Sequence, residues 1–127
     1  MSNVLIIEDD HNLREGLELL FQIEGYTTLG TSNGDTGIEL IRREKPDIVL
    51  TNFQMPGADG LDVLRAVRSE GDHGTTVIFL TANHRPSLRE QAVREGADAF
   101  LTKPFDTDEL LRTVASFAPK IGHEESP

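Results

Sequence analysis

Pro46-Asp47-Ile48-Val49-Leu50-Thr51-Asn52-Phe53-Gln54-Met55-Pro56-Gly57-Ala58-Asp59-Gly60 is a short apolar run that stops at a polar residue and passes into a loop punctuated by proline and glycine. Residues 48–51 do not alternate apolar with polar, so they read as a strand covered on both faces, as in a parallel sheet. Four further strand-like runs occupy residues 4–7, 26–29, 77–81 and 99–102. Amphipathic stretches lie between them. Leu13, Leu17, Leu20 and Phe21 recur at helical spacing up to Gly25, and Ile38 and Ile41 continue the pattern before Pro46. Leu61, Leu64 and Val67 form a third stripe that stops near Gly71, and Leu88, Ala92 and Val93 a fourth closed by Gly96. Leu110, Leu111, Val114 and Phe117 form the last, ending at Pro119. Glycine just past a stripe and proline beyond it are helix stop signals.

The order βαβαβαβαβα, with crossover-length helices, predicts an α/β domain built on a parallel five-stranded sheet. In such sheets the ligand crevice lies at the carboxyl ends of the strands. Glu8 and Asp9, Asn52, Thr81 and Lys103 fall at the ends of the first, third, fourth and fifth strands. Each has a plain structural reading when taken alone: Asn52 as a loop start, Thr81 as a β-former, Lys103 as a solvated lysine. Their convergence at one edge carries the functional reading.

With 127 residues the chain is long enough for one domain with a true core. Residues 1–119 are read as that domain and 120–127 as a polar tail or linker stub. The absence of cysteine excludes disulfides, thiolate zinc sites and cysteine nucleophiles. His11, His73, His84 and His123 lack ligand-like spacing. The net charge of -10 argues against direct nucleic-acid binding, which requires a basic surface. No apolar run approaches the ~20 residues of a membrane span. Val4-Leu5-Ile6-Ile7 follows the first residues without a basic segment, so no signal peptide is expected and a cytoplasmic location is. Asn33-Gly34-Asp35 reads as a turn, and Asp59-Gly60 as the cap of the helix that follows.

Taken together, Ile6-Ile7-Glu8-Asp9-Asp10, Asn52 through Gly60, Leu80-Thr81-Ala82 and Phe100-Leu101-Thr102-Lys103-Pro104-Phe105 resemble the receiver domain of two-component response regulators, from about Asn3 to Ala118. The resemblance implies a flavodoxin-like (βα)5 three-layer sandwich with strand order 2-1-3-4-5. It implies that Glu8 and Asp9 hold Mg²⁺ with the Gln54 backbone carbonyl and residue 52, and that Thr81 is the switch hydroxyl. Lys103 becomes the lysine that pairs with the phosphoryl group, joined to Pro104 by a cis peptide, and Phe100 takes the aromatic switch position.

The departure is Asn52, which stands where the family has its phosphoacceptor aspartate. A carboxylate attacks phosphorus to give an acyl phosphate; a carboxamide does not. The change also removes one formal charge from the metal site, so Mg²⁺ is expected to bind weakly or not at all. Lys103, without its closest anionic partner, is expected to turn toward Glu8 or Asp9.

The resulting expectation is a non-enzymatic signalling module of a two-component system or phosphorelay, either a pseudo-receiver or a phosphorylation-silenced variant. Its partners would be a sensor kinase or a downstream effector. The contact face would comprise the stretch from Ser87 to Glu95, Phe100, and the last helix from Asp106 to Phe117, giving a monomer or weak homodimer. Two other classes compete. A small Mg-dependent phosphohydrolase using Glu8, Asp9 and Asp10 lacks an evident nucleophile, and a nucleotide-binding flavodoxin-like domain lacks the glycine-rich turn after Ile7.

Overall fold

Successive apolar residues of each central strand point to opposite faces of the sheet, and both faces are covered. The computed structural model describes residues 3–55, 57–69, 74–82 and 85–117. The elements are β1 (Asn3–Ile7), α1 (His11–Ile23), β2 (Thr27–Thr31), α2 (Gly34–Glu44), β3 (Ile48–Thr51), α3 (Gly60–Ser69), β4 (Thr76–Thr81), α4 (Pro86–Arg94), β5 (Ala99–Thr102) and α5 (Thr107–Phe117). All strand pairs are parallel and their order is β2-β1-β3-β4-β5. This is the flavodoxin-like three-layer sandwich expected from the sequence.

Val4, Ile6, Ile48, Leu50, Ile78, Leu80 and Leu101 pack with Leu17 and Phe21 of α1 and Leu110 and Val114 of α5. On the other face Leu5, Ile7, Val49, Val77 and Phe79 meet Ile41 of α2, Leu61, Val63, Leu64 and Val67 of α3, and Ala92 of α4. Each fully buried side chain of this size contributes roughly 1.5–3 kcal/mol.

Strand register sets the ends level. Ile7 lies opposite Thr51, so Glu8 and Asn52 emerge side by side, with the Asn52 amide N–H donating to the Ile7 carbonyl at 3.3 Å. Thr51 lies opposite Phe79, which carries β4 two residues further, and Thr81 is level with Thr102. The Lys103 N–H then donates to the Thr81 carbonyl at 2.8 Å. The loop after β3 doubles back closely: a Cβ on Gly60 would run into the Asn52 carbonyl oxygen, the Phe53 Cα and the Phe79 ring. Only glycine lets α3 start this near the end of β3.

Helix starts follow local chemistry. Asp10 caps α1 by accepting from the Leu13 N–H at 3.1 Å. Asp59 and Asp62 accept reciprocally from each other's backbone N–H at 2.9 and 3.0 Å, which bears out the capping role read for Asp59. Asn33 accepts from the Thr36 N–H at 2.8 Å and is the N-cap of α2. Gly34 and Asp35 therefore open a helix, where a turn was expected; the same Asn-Gly chemistry serves both, and the stripe beginning at Ile38 decides between them.

Two other expectations need correction. The second strand lies at Thr27–Thr31, shifted from 26–29, because Tyr26 packs edge-on against Phe21 with ring centroids 5.5 Å apart. Burial, with Glu24 nearby, raises the Tyr26 phenol above its ordinary value. Val93 is 54% exposed, since Leu88 and Ala92 already share the inward line of α4 and the next residue lies about 100° round the axis. At the surface, Arg65 of α3 grips Glu95 through two bonds of 2.7 and 3.0 Å, which lowers the Glu95 carboxyl and raises the Arg65 guanidinium. Pro56, Gly71, His73, His84, Pro119 and the tail from 120 to 127 lie outside the described residues.

Candidate functional site

Glu8 is the residue around which the strand ends close. It is 1% exposed, and its carboxylate collects three donors. Lys103 Nζ lies 2.7 Å from Oε1, and Oε2 accepts from the Asp10 N–H at 3.0 Å and from Asn52 Nδ2 at 2.9 Å. Asn52, 7% exposed, also donates from Nδ2 to Asp9 Oδ1 at 3.0 Å. Carboxylates present only acceptors, so the amide must turn its NH₂ toward Glu8 and Asp9. The other end of the amide, Oδ1, is buried without a hydrogen-bond partner. Arg14 of α1 closes the shell from behind, donating from Nη1 to the Glu8 carbonyl at 2.8 Å.

Above this cluster is a cavity of about 210 Å³ lined by Asp9, Asn52, Phe53, Gln54, Leu80, Thr81, Ala82 and Lys103. Every site residue read from the sequence except Phe100 and the fully buried Glu8 lines it, and Glu8 bonds to two of its walls. The turn of Lys103 toward Glu8 is seen. Gln54 is exposed at the rim, and the Lys103–Pro104 peptide is cis.

Phe100 stands apart, as one layer of an aromatic stack. Its ring lies 5.5 Å from Phe79 and 6.1 Å from Phe53, nearly parallel to both, and Phe53 and Phe79 are 4.2 Å apart. The guanidinium of Arg89 sits 4.9 Å from the Phe100 centroid. A smaller cavity of about 80 Å³ separates this half-buried ring from Thr81. The sequence reading missed Phe53, Phe79, Arg89 and Arg14 as neighbours of the site. For Phe53 the signal was available, since it immediately follows Asn52; the others are joined to the site only by tertiary packing.

The donor set does not fit a divalent cation as arranged. Hard cations take oxygen lone pairs, whereas residue 52 presents N–H groups to the two acids and keeps its one oxygen away from them. Among the described residues no group of three or more His, Cys, Asp or Glu is placed to hold a metal. No helix among them is long and apolar enough to cross a membrane.

A parallel 2-1-3-4-5 sheet with an acidic pair, a hydroxyl and a lysine meeting at its carboxyl edge defines a receiver-type signalling module. Residues 4–115 match the response regulator receiver domain model, and the chain belongs to that family. It is 34% identical over 124 residues to the response regulator MprA of Mycobacterium sp. (strain KMS), covering 98% of this chain and 54% of that protein. The chain thus spans about half the length of these curated relatives. The receiver domain of the Francisella response regulator 1452 superimposes with a TM-score of 0.88 at 27% identity, covering 96% of this chain and 100% of that one. The receiver domain of the sensor histidine kinase PA1611 from Pseudomonas aeruginosa PAO1 gives 0.81 at 25% identity, covering 93% and 98%. That structure has a magnesium ion coordinated in its active-site cleft.

The pairing of the buried Glu8 carboxylate with the partly exposed Lys103 ammonium makes a sharp prediction. Removing one partner of such a pair costs about 3–5 kcal/mol, because the other charge is left buried. Lys103→Met should therefore destabilise the domain by roughly 3 kcal/mol in urea titration. The double variant Lys103→Met/Glu8→Gln should recover most of that loss. Equal destabilisation of single and double variants would mean that the lysine acts by packing rather than by charge.

Proposed function

We propose that this chain is a receiver module that signals by protein contact without accepting a phosphoryl group on residue 52. The observation that carries the reading is the Asn52 side chain, held at the end of β3 with its nitrogen on Glu8 and Asp9. An amide nitrogen whose lone pair is delocalised into the carbonyl is no nucleophile, and its oxygen is buried with no partner. The module is accordingly not an enzyme. Thr81 and Lys103 keep their places beside the cavity, so the phosphoryl-binding surroundings persist around a position that forms no acyl phosphate. Mg²⁺, which the PA1611 receiver carries, binds weakly or not at all here. No observation favours the phosphohydrolase: the acids engage Asn52 and Lys103, and no further metal-holding cluster exists among the described residues.

Partners are a sensor kinase, or an effector or output domain, in the cytoplasm. The proposed contact face is α4, β5 and α5. Arg89, Glu90, Arg94, Asp108, Glu109 and Arg112 are all exposed there, and their mixed signs permit self-complementary pairing. Glu95, at the edge of this face, is already paired with Arg65. Exposed ion pairs add roughly 0–1 kcal/mol each, so a homodimer through this face is weak and salt-sensitive.

Incubation with a small phosphodonor and Mg²⁺, followed by intact mass and site mapping, tests the reading. The wild-type chain should gain no phosphoryl group at residue 52, and Asn52→Asp should gain one that is lost in base. Labelling of wild type at residue 52 would refute the reading. Sedimentation checks the face: the unmodified chain should be mostly monomeric at low concentration, and a tight, salt-resistant dimer would show a constitutive interface instead.

A further inference from the structure

We infer that the Asn52 amide takes the place of a divalent cation, clasping Glu8 and Asp9 so that the site closes without metal and a metal ion must compete with the amide. This rests on the reading above that residue 52 is the altered acceptor position, and it adds what the asparagine does there.

Two neighbouring carboxylates repel, and they stay together only when positive charge or hydrogen bonds offset the repulsion. Here both offsets are internal. The Asn52 nitrogen reaches Glu8 Oε2 and Asp9 Oδ1 at 2.9 and 3.0 Å, and an amide nitrogen has two N–H bonds, one for each. Lys103 supplies the positive charge at Glu8 Oε1. Asp10 contributes its backbone N–H. The oxygen that residue 52 would offer a cation is the unpartnered Oδ1. Presenting it to an ion between the acids means inverting the amide, which breaks both hydrogen bonds. Asparagine therefore works against the ion, where a merely weaker ligand would still assist it.

That opposition gives an unusual ordering. If Asn52 were a poor ligand, removing it would weaken the response to metal further. If it is a competitor, Asn52→Ala should respond more than wild type although alanine offers no ligand at all. Thermal unfolding of wild type, Asn52→Ala and Asn52→Asp is compared in chelator and in about 10 mM Mg²⁺, a ligand that raises Tm only where it binds the folded state. Wild type should shift by less than about one degree, Asn52→Ala by several degrees, and Asn52→Asp by the most. In chelator both variants should melt below wild type.

A wild-type shift equal to or larger than that of Asn52→Ala overturns the inference. Should Asn52→Ala not fold, wild type alone decides by NMR. Saturable low-millimolar movement of the Glu8 and Asp9 backbone resonances with Mg²⁺ would contradict it, and their constancy would support it. None of these outcomes depends on phosphoryl labelling, so this inference and the silent-acceptor reading fail separately.

Discussion

Glu8 carries a carboxylate into a place that is 1% exposed, and the arrangement of the strand ends answers the problem this creates. A lone buried charge costs several kcal/mol, more than any one hydrogen bond returns. The Asp10 N–H lies only two residues on, and the other two partners come from distant parts of the chain: Asn52 after β3 and Lys103 after β5. Each is delivered by a strand whose register leaves it at the same edge of the sheet. The close approach at Gly60 keeps the loop after β3 tight against Asn52. Misplacing one of these strand ends would leave the carboxylate short of donors, so the core and the site depend on each other.

The same interaction is where asparagine at position 52 differs from aspartate. With an aspartate at position 52, three carboxylates would meet at the strand ends, and a cation would relieve their repulsion. With asparagine the third group changes sign in its hydrogen bonding, from acceptor to donor. The acids and the lysine then satisfy one another with groups the protein already has. A side chain of nearly the same shape thus leaves the fold intact while it reverses what the site asks of its surroundings.

Much of this was legible in the sequence, for definite reasons. Unbroken apolar runs such as Ile48-Val49-Leu50 have one stable use in a chain that alternates strands with helical stripes, and the polar residues closing those runs were bound to meet at one edge. Once the resemblance set Lys103 beside the acids, its turn toward Glu8 followed from charge. Edge strand β2 was less legible, because Thr27 to Thr31 are partly exposed and Tyr26 resembles a strand residue until it is seen against Phe21. The stack of Phe53, Phe79 and Phe100, the Arg89 guanidinium over it, and the hold of Arg14 on the Glu8 carbonyl were not legible. Nothing local distinguishes those residues from any other aromatic or surface arginine until the helices are docked. The split personality of the Asn52 amide, nitrogen engaged and oxygen stranded, likewise emerges only from its neighbours.

The most direct measurement is hydrogen exchange of the Asn52 side-chain amide in the metal-free protein, followed by NMR and assigned by its disappearance in Asn52→Asp. Asn12, exposed on α1, supplies an internal reference for a free carboxamide. The account predicts two resolved Asn52 amide proton signals that exchange with water far more slowly than those of Asn12, and that speed up when Glu8 is changed to Ala. An Asn52 amide exchanging as fast as Asn12 would contradict it.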